Sequence, residues 1–413
     1  LVYWALSAGS DGGTGIYVSA DARRQYYDGA FPQSSQLFGI EGEAIALENT
    51  FMREGYFSSR SGDFFLLFGR SPAHDACLLS KRIPYLDMCY YTWRMGPLKM
   101  ISYFGTLKNY PGSDEMAALE ERDASSGGPM MLEVDPSTDE YEIRPAGDTP
   151  FTDPADNAVA FGKTVILNAM HRFEFTFPRV RLGITGHQIV SRENNAIHIG
   201  DLFPVFSWHN GWLGVHNLSM VIDASYAPGG GVELFAQAGY DDINASDFLG
   251  VGDTGTPTIS AYVLGAAVDR RTGSGARWNG RLEAGISHYL WGNFHEFDPE
   301  RGNYLSRAIY RFERDEEYVL LPLTSPYGPG TKWVVLSGGC RWPAGFGLSG
   351  ELEFVRENVD ASLVTTSYEN FDDAREGEQE DRWYAEITAS RRFTENIELF
   401  FRPAYVMRED ASW

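Results

Sequence analysis

The sequence predicts an all-β chain, a transmembrane antiparallel β-barrel of about 16–18 strands with short periplasmic turns and long acidic external loops. Three observations predict it. Apolar and polar residues alternate with period two over strand-length segments. Short turns and long connections follow each other in strict alternation along the chain. Aromatic residues reach 14% and glycine 44 of 413 residues, yet no apolar segment approaches the ~18 residues a spanning helix needs. Any membrane crossing must therefore be made by strands.

The alternation is clearest in His171-Arg172-Phe173-Glu174-Phe175-Thr176-Phe177, where the phenylalanines share one face and Arg172, Glu174 and Thr176 the other. It resumes after Pro178 and Arg179 through Val180, Leu182 and Ile184, which makes a hairpin with one apolar and one charged face. Residues 86–94 and 98–107 form a second hairpin around Met95-Gly96-Pro97, and residues 219–226 and 232–240 a third around residues 227–231. Three more turn at residues 271–275, 342–345 and 393–396. Segments such as 64–68 and 397–405 have the length and aromatic content of membrane strands.

Between hairpins lie long connections, roughly residues 109–159, 191–218, 241–258, 292–331 and 357–381, rich in Gly, Pro, Asp and Asn. A soluble sandwich has no reason to segregate connection lengths in this way, whereas an outer-membrane barrel does. Charge follows the same division. Residues 111–160 hold thirteen acids against Arg122 and Arg144, and residues 369–382 hold seven against Arg375 and Arg382. In the first of these, Ser113 and the following residues to Glu121 read as a short capped helix ended by Gly127-Gly128. The chain reads as one domain over residues 1–413, with residues 1–35 a partly irregular segment. Localisation is expected to be the bacterial outer membrane, with the signal peptide already removed, because Leu1 to Trp4 lack a basic start and a long apolar run.

Composition excludes other classes. With 34 basic and 57 acidic residues the net charge is −23, and no basic run offsets it, so a nucleic-acid partner is not expected. Cys77, Cys89 and Cys340 make no Cys-x-x-Cys pair, and a Cys77–Cys89 bridge is one open pairing. No Gly-x-Ser-x-Gly element is present, so no catalytic residues are assigned and an enzyme is not expected. His288, His295 and Glu296 lack a third metal ligand, and neither a metal nor a cofactor is expected.

The candidate binding residues are aromatic. Trp208, His209, Asn210 and Trp212 fall within five residues in a long connection, and a pyranose ring is held by an aromatic face beside amide and imidazole groups. Tyr289 and Trp291 form a second candidate cluster. For single residues of the first cluster, packing at the barrel mouth or in the interface girdle is the competing reading; for the second it is a solvated loop. Arg172, Glu174, Arg181, Glu233 and Arg281 are candidates for the barrel lumen, as a selectivity filter or as a hydrogen-bonded filling. The acidic connections are candidate sites for divalent cations bridging to an anionic polymer.

Several blocks resemble one family. Gly69-Arg70 followed by Leu78-Leu79-Ser80 and Pro84, Met95-Gly96-Pro97-Leu98 leading to Tyr103-Phe104-Gly105-Thr106-Leu107, and His171-Arg172-Phe173-Glu174-Phe175 leading to Leu182-Gly183 occur in order. Leu202-Phe203-Pro204-Val205-Phe206, then Leu323 with Gly328-Pro329, continue the series. From about Phe64 to Arg408 the chain resembles the Wzi-type capsule-assembly proteins of the bacterial outer membrane. It departs from them at Ser71-Pro72-Ala73-His74-Asp75 and at Gly330, where an Asp is common. The resemblance implies a barrel of about 18 strands that attaches or organises capsular or extracellular polysaccharide as a lectin, without catalysis and with outer-membrane lipid around it. The alternative that the residues equally permit is a porin or solute channel.

Overall fold

The computed structural model describes residues 2–9, 13–26, 45–72, 85–107, 130–134, 141–145, 159–160, 166–191, 215–243, 257–292, 308–314, 317–323, 325, 327–358, 361, 377–394 and 397–410, with side chains over a narrower set. Its strands are β1 (Val2–Gly9), β2 (Thr14–Tyr26), β3 (Ile45–Ser61), β4 (Phe64–Pro72), β5 (Tyr85–Met95) and β6 (Leu98–Leu107). Then come β7 (Met130–Val134), β8 (Tyr141–Pro145), β9 (Val159–Ala160), β10 (Ile166–Thr176), β11 (Val180–Ser191), β12 (Val215–Gly229) and β13 (Val232–Asp242). The remainder are β14 (Ile259–Arg271), β15 (Arg277–Ser287), β16 (Ala308–Arg314), β17 (Glu317–Pro322), β18 (Thr331–Arg341), β19 (Phe346–Asn358), β20 (Gln379–Thr394), β21 (Ile397–Phe401) and β22 (Ala404–Asp410).

Seventeen of these strands form one sheet, and every pairing within it is antiparallel. Strands adjacent in the sheet follow one another along the chain, with β6 pairing β10 and β15 pairing β18 across the connections that hold the smaller sheets β7–β9 and β16–β17. At one end the strands are joined by turns of two to five residues, such as 96–97, 230–231 and 272–276. At the other end lie the long connections.

The polarity of the two faces is the reverse of a soluble sheet. One cross-strand row runs Gly265, Glu283, Val335, Glu353 and Tyr384, and the row beside it runs Ala266, Leu282, Leu336, Leu352 and Ala385. Glu283 and Glu353 are 0% and 1% exposed, whereas Leu282, Leu336 and Leu352 are 50%, 53% and 44% exposed. Carboxylates are enclosed and leucines face out, which suits a wall with lipid outside and a filled interior. Exposed aromatics gather beside the short turns: Phe64, Trp93, Phe177, Tyr226, Trp278, Trp342 and Phe393. Such a girdle marks a membrane interface, where a ring with a polar edge is best placed.

The expected hairpins at 96–97, 177–179, 230–231, 272–276 and 342–345 are formed. Hairpins that escaped the sequence reading include β3 to β4 through Gly62-Asp63, β1 to β2, and, within the long connections, β7 to β8 and β16 to β17. The described part of residues 1–35 is strand, β1 and β2. One further expectation needs correction: the segment 397–405 is interrupted at Arg402-Pro403, because proline has no N–H to give to the β20 ladder. Cys89 and Cys340 are free thiols. Cys77 and the helix expected from Ser113 to Glu121 lie outside the described residues.

Candidate functional site

The inward rows divide the barrel interior into two levels. Toward the short turns it is charged. The Arg172 guanidinium, itself buried, is held by both oxygens of Asp223, with Nη2 to Oδ1 at 2.9 Å, and also donates to Thr185 at 3.1 Å and Glu174 at 3.2 Å. Arg181 donates to Glu233 at 2.9 Å, and Asp269 accepts from Arg277 Nε at 2.9 Å. Arg281 donates to Glu283 at 2.7 Å while its guanidinium lies 4.2 Å above the Phe235 ring. Every one of these cations has a carboxylate partner, so none of the guanidinium groups is left uncompensated.

Toward the long connections the wall from β12 to β19 carries an apolar cluster. Val221, Ile259, Ala261, Val263, Trp333, Val335 and Val355 project from four strands into one cluster with Leu290, Trp291 and Tyr327, which come from the connection between β15 and β18. The two ends of that connection are pinned by hydroxyls. Ser287 Oγ donates to the Gly328 carbonyl at 2.9 Å and lies 3.0 Å from Thr331 Oγ1, while the Thr331 N–H donates to Ser287 Oγ at 3.1 Å. Gly292 N–H reaches across to the Asp241 carboxylate at 2.9 Å. The described ends of the connection therefore pack Leu290, Trp291 and Tyr327 against the inner face of β12, β14, β18 and β19. Trp333 joins the two levels: its ring packs in the cluster and its Nε1–H donates to Glu283 at 3.3 Å.

The register places Arg172, Glu174, Arg181, Glu233 and Arg281 on inward rows, Arg172 on the row of Val221 and Ala261 and Glu174 on that of Val263. Of the aromatic candidates, Trp291 is 1% exposed, so its indole faces are taken up by the apolar cluster. Tyr289 is half-buried, with the His288 ring edge-on at 5.9 Å. Trp208, His209, Asn210 and Trp212 lie outside the described residues, as do His295 and Glu296. Among the described residues no group of three His, Cys, Asp or Glu side chains could hold a metal.

Sequence reasoning missed Asp223, Glu283, Glu353 and Trp333. The signal was available for them, since each falls on the period-two row that also carries a small or polar residue. It also missed a polar cluster in the upper interior, where His187 Nε2 lies 2.6 Å from Asn168 Oδ1 beside Tyr103. That contact joins neighbouring strands and has no trace in either segment alone.

No protein family model matches the chain, and no curated protein matches it in sequence. Solved structures do. The Escherichia coli protein Wzi, an outer-membrane protein involved in group 1 capsule assembly and a carbohydrate-binding β-barrel, aligns with a TM-score of 0.52 at 11% identity. The alignment covers 99% of this chain and 79% of Wzi. The chain has the fold of an outer-membrane β-barrel. A BenF-like porin from Pseudomonas fluorescens Pf-5 aligns at a TM-score of 0.42 and 12% identity over 98% of this chain and 87% of the porin. OccD3 of Pseudomonas aeruginosa aligns at 0.44 and 9% over 99% and 81%.

Proposed function

We propose that this chain is a non-catalytic barrel of the bacterial outer membrane that binds or organises capsular or extracellular polysaccharide through its long connections, in the manner of a Wzi-type lectin. The observation that carries this reading is the apolar filling toward the long connections. A solute channel needs a continuous water path, and the packing of Leu290, Trp291 and Tyr327 against β12, β14, β18 and β19 supports a filled interior on that side. Recognition is then left to the outer surface, where the aromatic, amide and imidazole groups of Trp208, His209, Asn210 and Trp212 match a pyranose ring. The acidic connections would hold divalent cations that bridge to an anionic polymer. The porin reading is the alternative, and the charged, water-exposed groups at the short-turn level favour it.

Two measurements separate them. In planar bilayers the purified protein is expected to give no stable conductance; ohmic steps would establish the porin. In cells, Trp208→Ala with Trp212→Ala is expected to reduce surface retention of polysaccharide, each ring contributing about 1 kcal/mol of stacking. Full retention by a normally folded double variant would remove this connection from the site.

A further inference from the structure

The inner rim of the barrel at the short turns is basic. Among the described side chains, seven of the inward positions in the two residues on either side of each short turn are Arg or Lys, and one, Glu233, is acidic. The chain as a whole has a net charge of −23, and its acids collect in the connections at the opposite end. Two parts of the rim set like charges against each other. Arg94 faces Lys99 across β5 and β6, and Arg271, Arg277 and Arg341 follow one another on a single row of β14, β15 and β18. Like charges directly opposite destabilise a sheet.

The carboxylates nearby are committed elsewhere. Glu233 is taken by Arg181 and Asp269 by Arg277. Glu174, the cross-strand neighbour of Lys99, is bonded to Arg172 instead. Arg94 and Lys99 form no hydrogen bond or ion pair among the described residues. The rim therefore carries positive charge that is left for anions from outside the chain to balance.

Its arrangement selects among anions. These side chains lie on inward rows, so lipid headgroups around the barrel do not face them, unlike Arg391, which is on an outward row beside Phe393. Most are exposed, and single exposed ion pairs are weak and screened by salt. A small anion is then held poorly, and a polymer that engages several groups at once is held well. Within each group the cations are fixed on neighbouring strands about 4.8 Å apart. A stiff chain with a carboxylate on each repeat meets such a set with less loss of conformational freedom than a flexible acidic peptide.

We infer that the short-turn rim binds a carboxylate-bearing polysaccharide by ion pairing, at the periplasmic end of the barrel. The inference rests on the polysaccharide reading for the class of polymer, but not on Trp208 and Trp212.

The test uses the full chain carrying Trp208→Ala and Trp212→Ala in a non-ionic detergent with EDTA, so that neither the outer aromatic groups nor cations bridged by the acidic connections contribute. Binding of fluorescent oligogalacturonate is measured beside dextran, poly-L-glutamate and monomeric galacturonate. Oligogalacturonate is expected to bind, more tightly than poly-L-glutamate, with dextran and the monomer silent, and raising salt from about 50 to about 500 mM should abolish the binding. Arg94→Gln with Lys99→Gln, and Arg271→Gln with Arg341→Gln, should each weaken it about fivefold, the product of two exposed ion pairs. Both remove like-charge contacts, and unheated gel mobility checks that they fold. Arg391→Gln removes the same kind of charge from the outer face and should leave the affinity unchanged. No binding of oligogalacturonate, equal binding of dextran, tighter binding of poly-L-glutamate, or equal losses in Arg391→Gln and the rim variants would each overturn the inference. Surface retention in cells carrying only the Trp208 and Trp212 substitutions tests the polysaccharide reading separately, so the two can fail independently.

Discussion

Three glycines on inward rows are each roofed by a side chain from an adjacent strand. A Cβ on Gly183 would lie 2.3 Å from the Arg172 guanidinium, one on Gly265 2.1 Å from the Phe235 ring, and one on Gly285 2.1 Å from the Trp333 ring. The interior is filled by pairing a large side chain with a missing one, which lets rings and guanidinium groups lie flat along the wall. Gly285→Ala should then force Trp333 out of the cluster and off Glu283, destabilising the barrel by about 1–3 kcal/mol, the usual range for overpacking. Gly273, whose added Cβ would meet nothing, is the control, and Gly273→Ala should be neutral. Urea titration of the protein refolded in lipid vesicles reads both; equal midpoints for the two would show that the interior is loose. Asp223→Asn makes a harder test. Arg172 is buried and keeps Glu174 at 3.2 Å, so losing the Asp223 charge should cost about 1.5–3 kcal/mol in the same titration, the range for a charge-assisted hydrogen bond.

At the scale of strands and turns, Gly231 holds the β12–β13 hairpin. Its φ is +74°, and a Cβ would sit 1.9 Å from the Asp269 carbonyl oxygen of the neighbouring β14. Gly231→Ala is therefore expected to lower the yield of folded barrel on refolding, by more than the ~1 kcal/mol of a compatible glycine replacement; an unchanged yield would mean that the hairpin relaxes without loss. Side assignment follows from connection length. On intact cells, protease should cut within residues 111–160 or 369–382 and spare residues 229–231, and the opposite pattern would invert the orientation. These hairpins were legible because period-two alternation and a Gly- or Pro-bearing turn coincide in each. The first strands were not. Val2-Tyr3-Trp4-Ala5-Leu6 is uniformly apolar, and β2 and β3 pair with register shifts at Ser19/Ala20 and Asp21/Arg23, where a bulge puts two residues opposite one and breaks the period. The interior site was half legible. Alternation points Arg172, Glu174, Arg181, Glu233 and Arg281 inward, but their partners depend on register between strands. The packing of Trp291 depends on how a long connection folds, which local sequence does not encode.

For the whole molecule, the decisive property is the inversion of its two faces. In water, outward rows such as Leu264, Leu282, Leu336, Leu348 and Leu352 would form a continuous apolar band far larger than the few hundred Å² a soluble monomer tolerates. Lipid or detergent must cover that band. Inside, ion pairs, buried carboxylates and an apolar cluster leave little for a denaturing detergent to enter. The backbone groups are engaged in antiparallel ladders that run from β1 to β22, so local fraying at one strand is opposed by two neighbours along most of the sheet. Unfolding should therefore be slow and collective, needing heat as well as detergent. The expected outcome is that the protein extracts only with detergent and migrates faster on a denaturing gel unheated than boiled, because the folded barrel stays compact. Solubility in plain buffer, together with identical mobility before and after boiling, would place the leucine rows against protein rather than lipid and remove the membrane from the account.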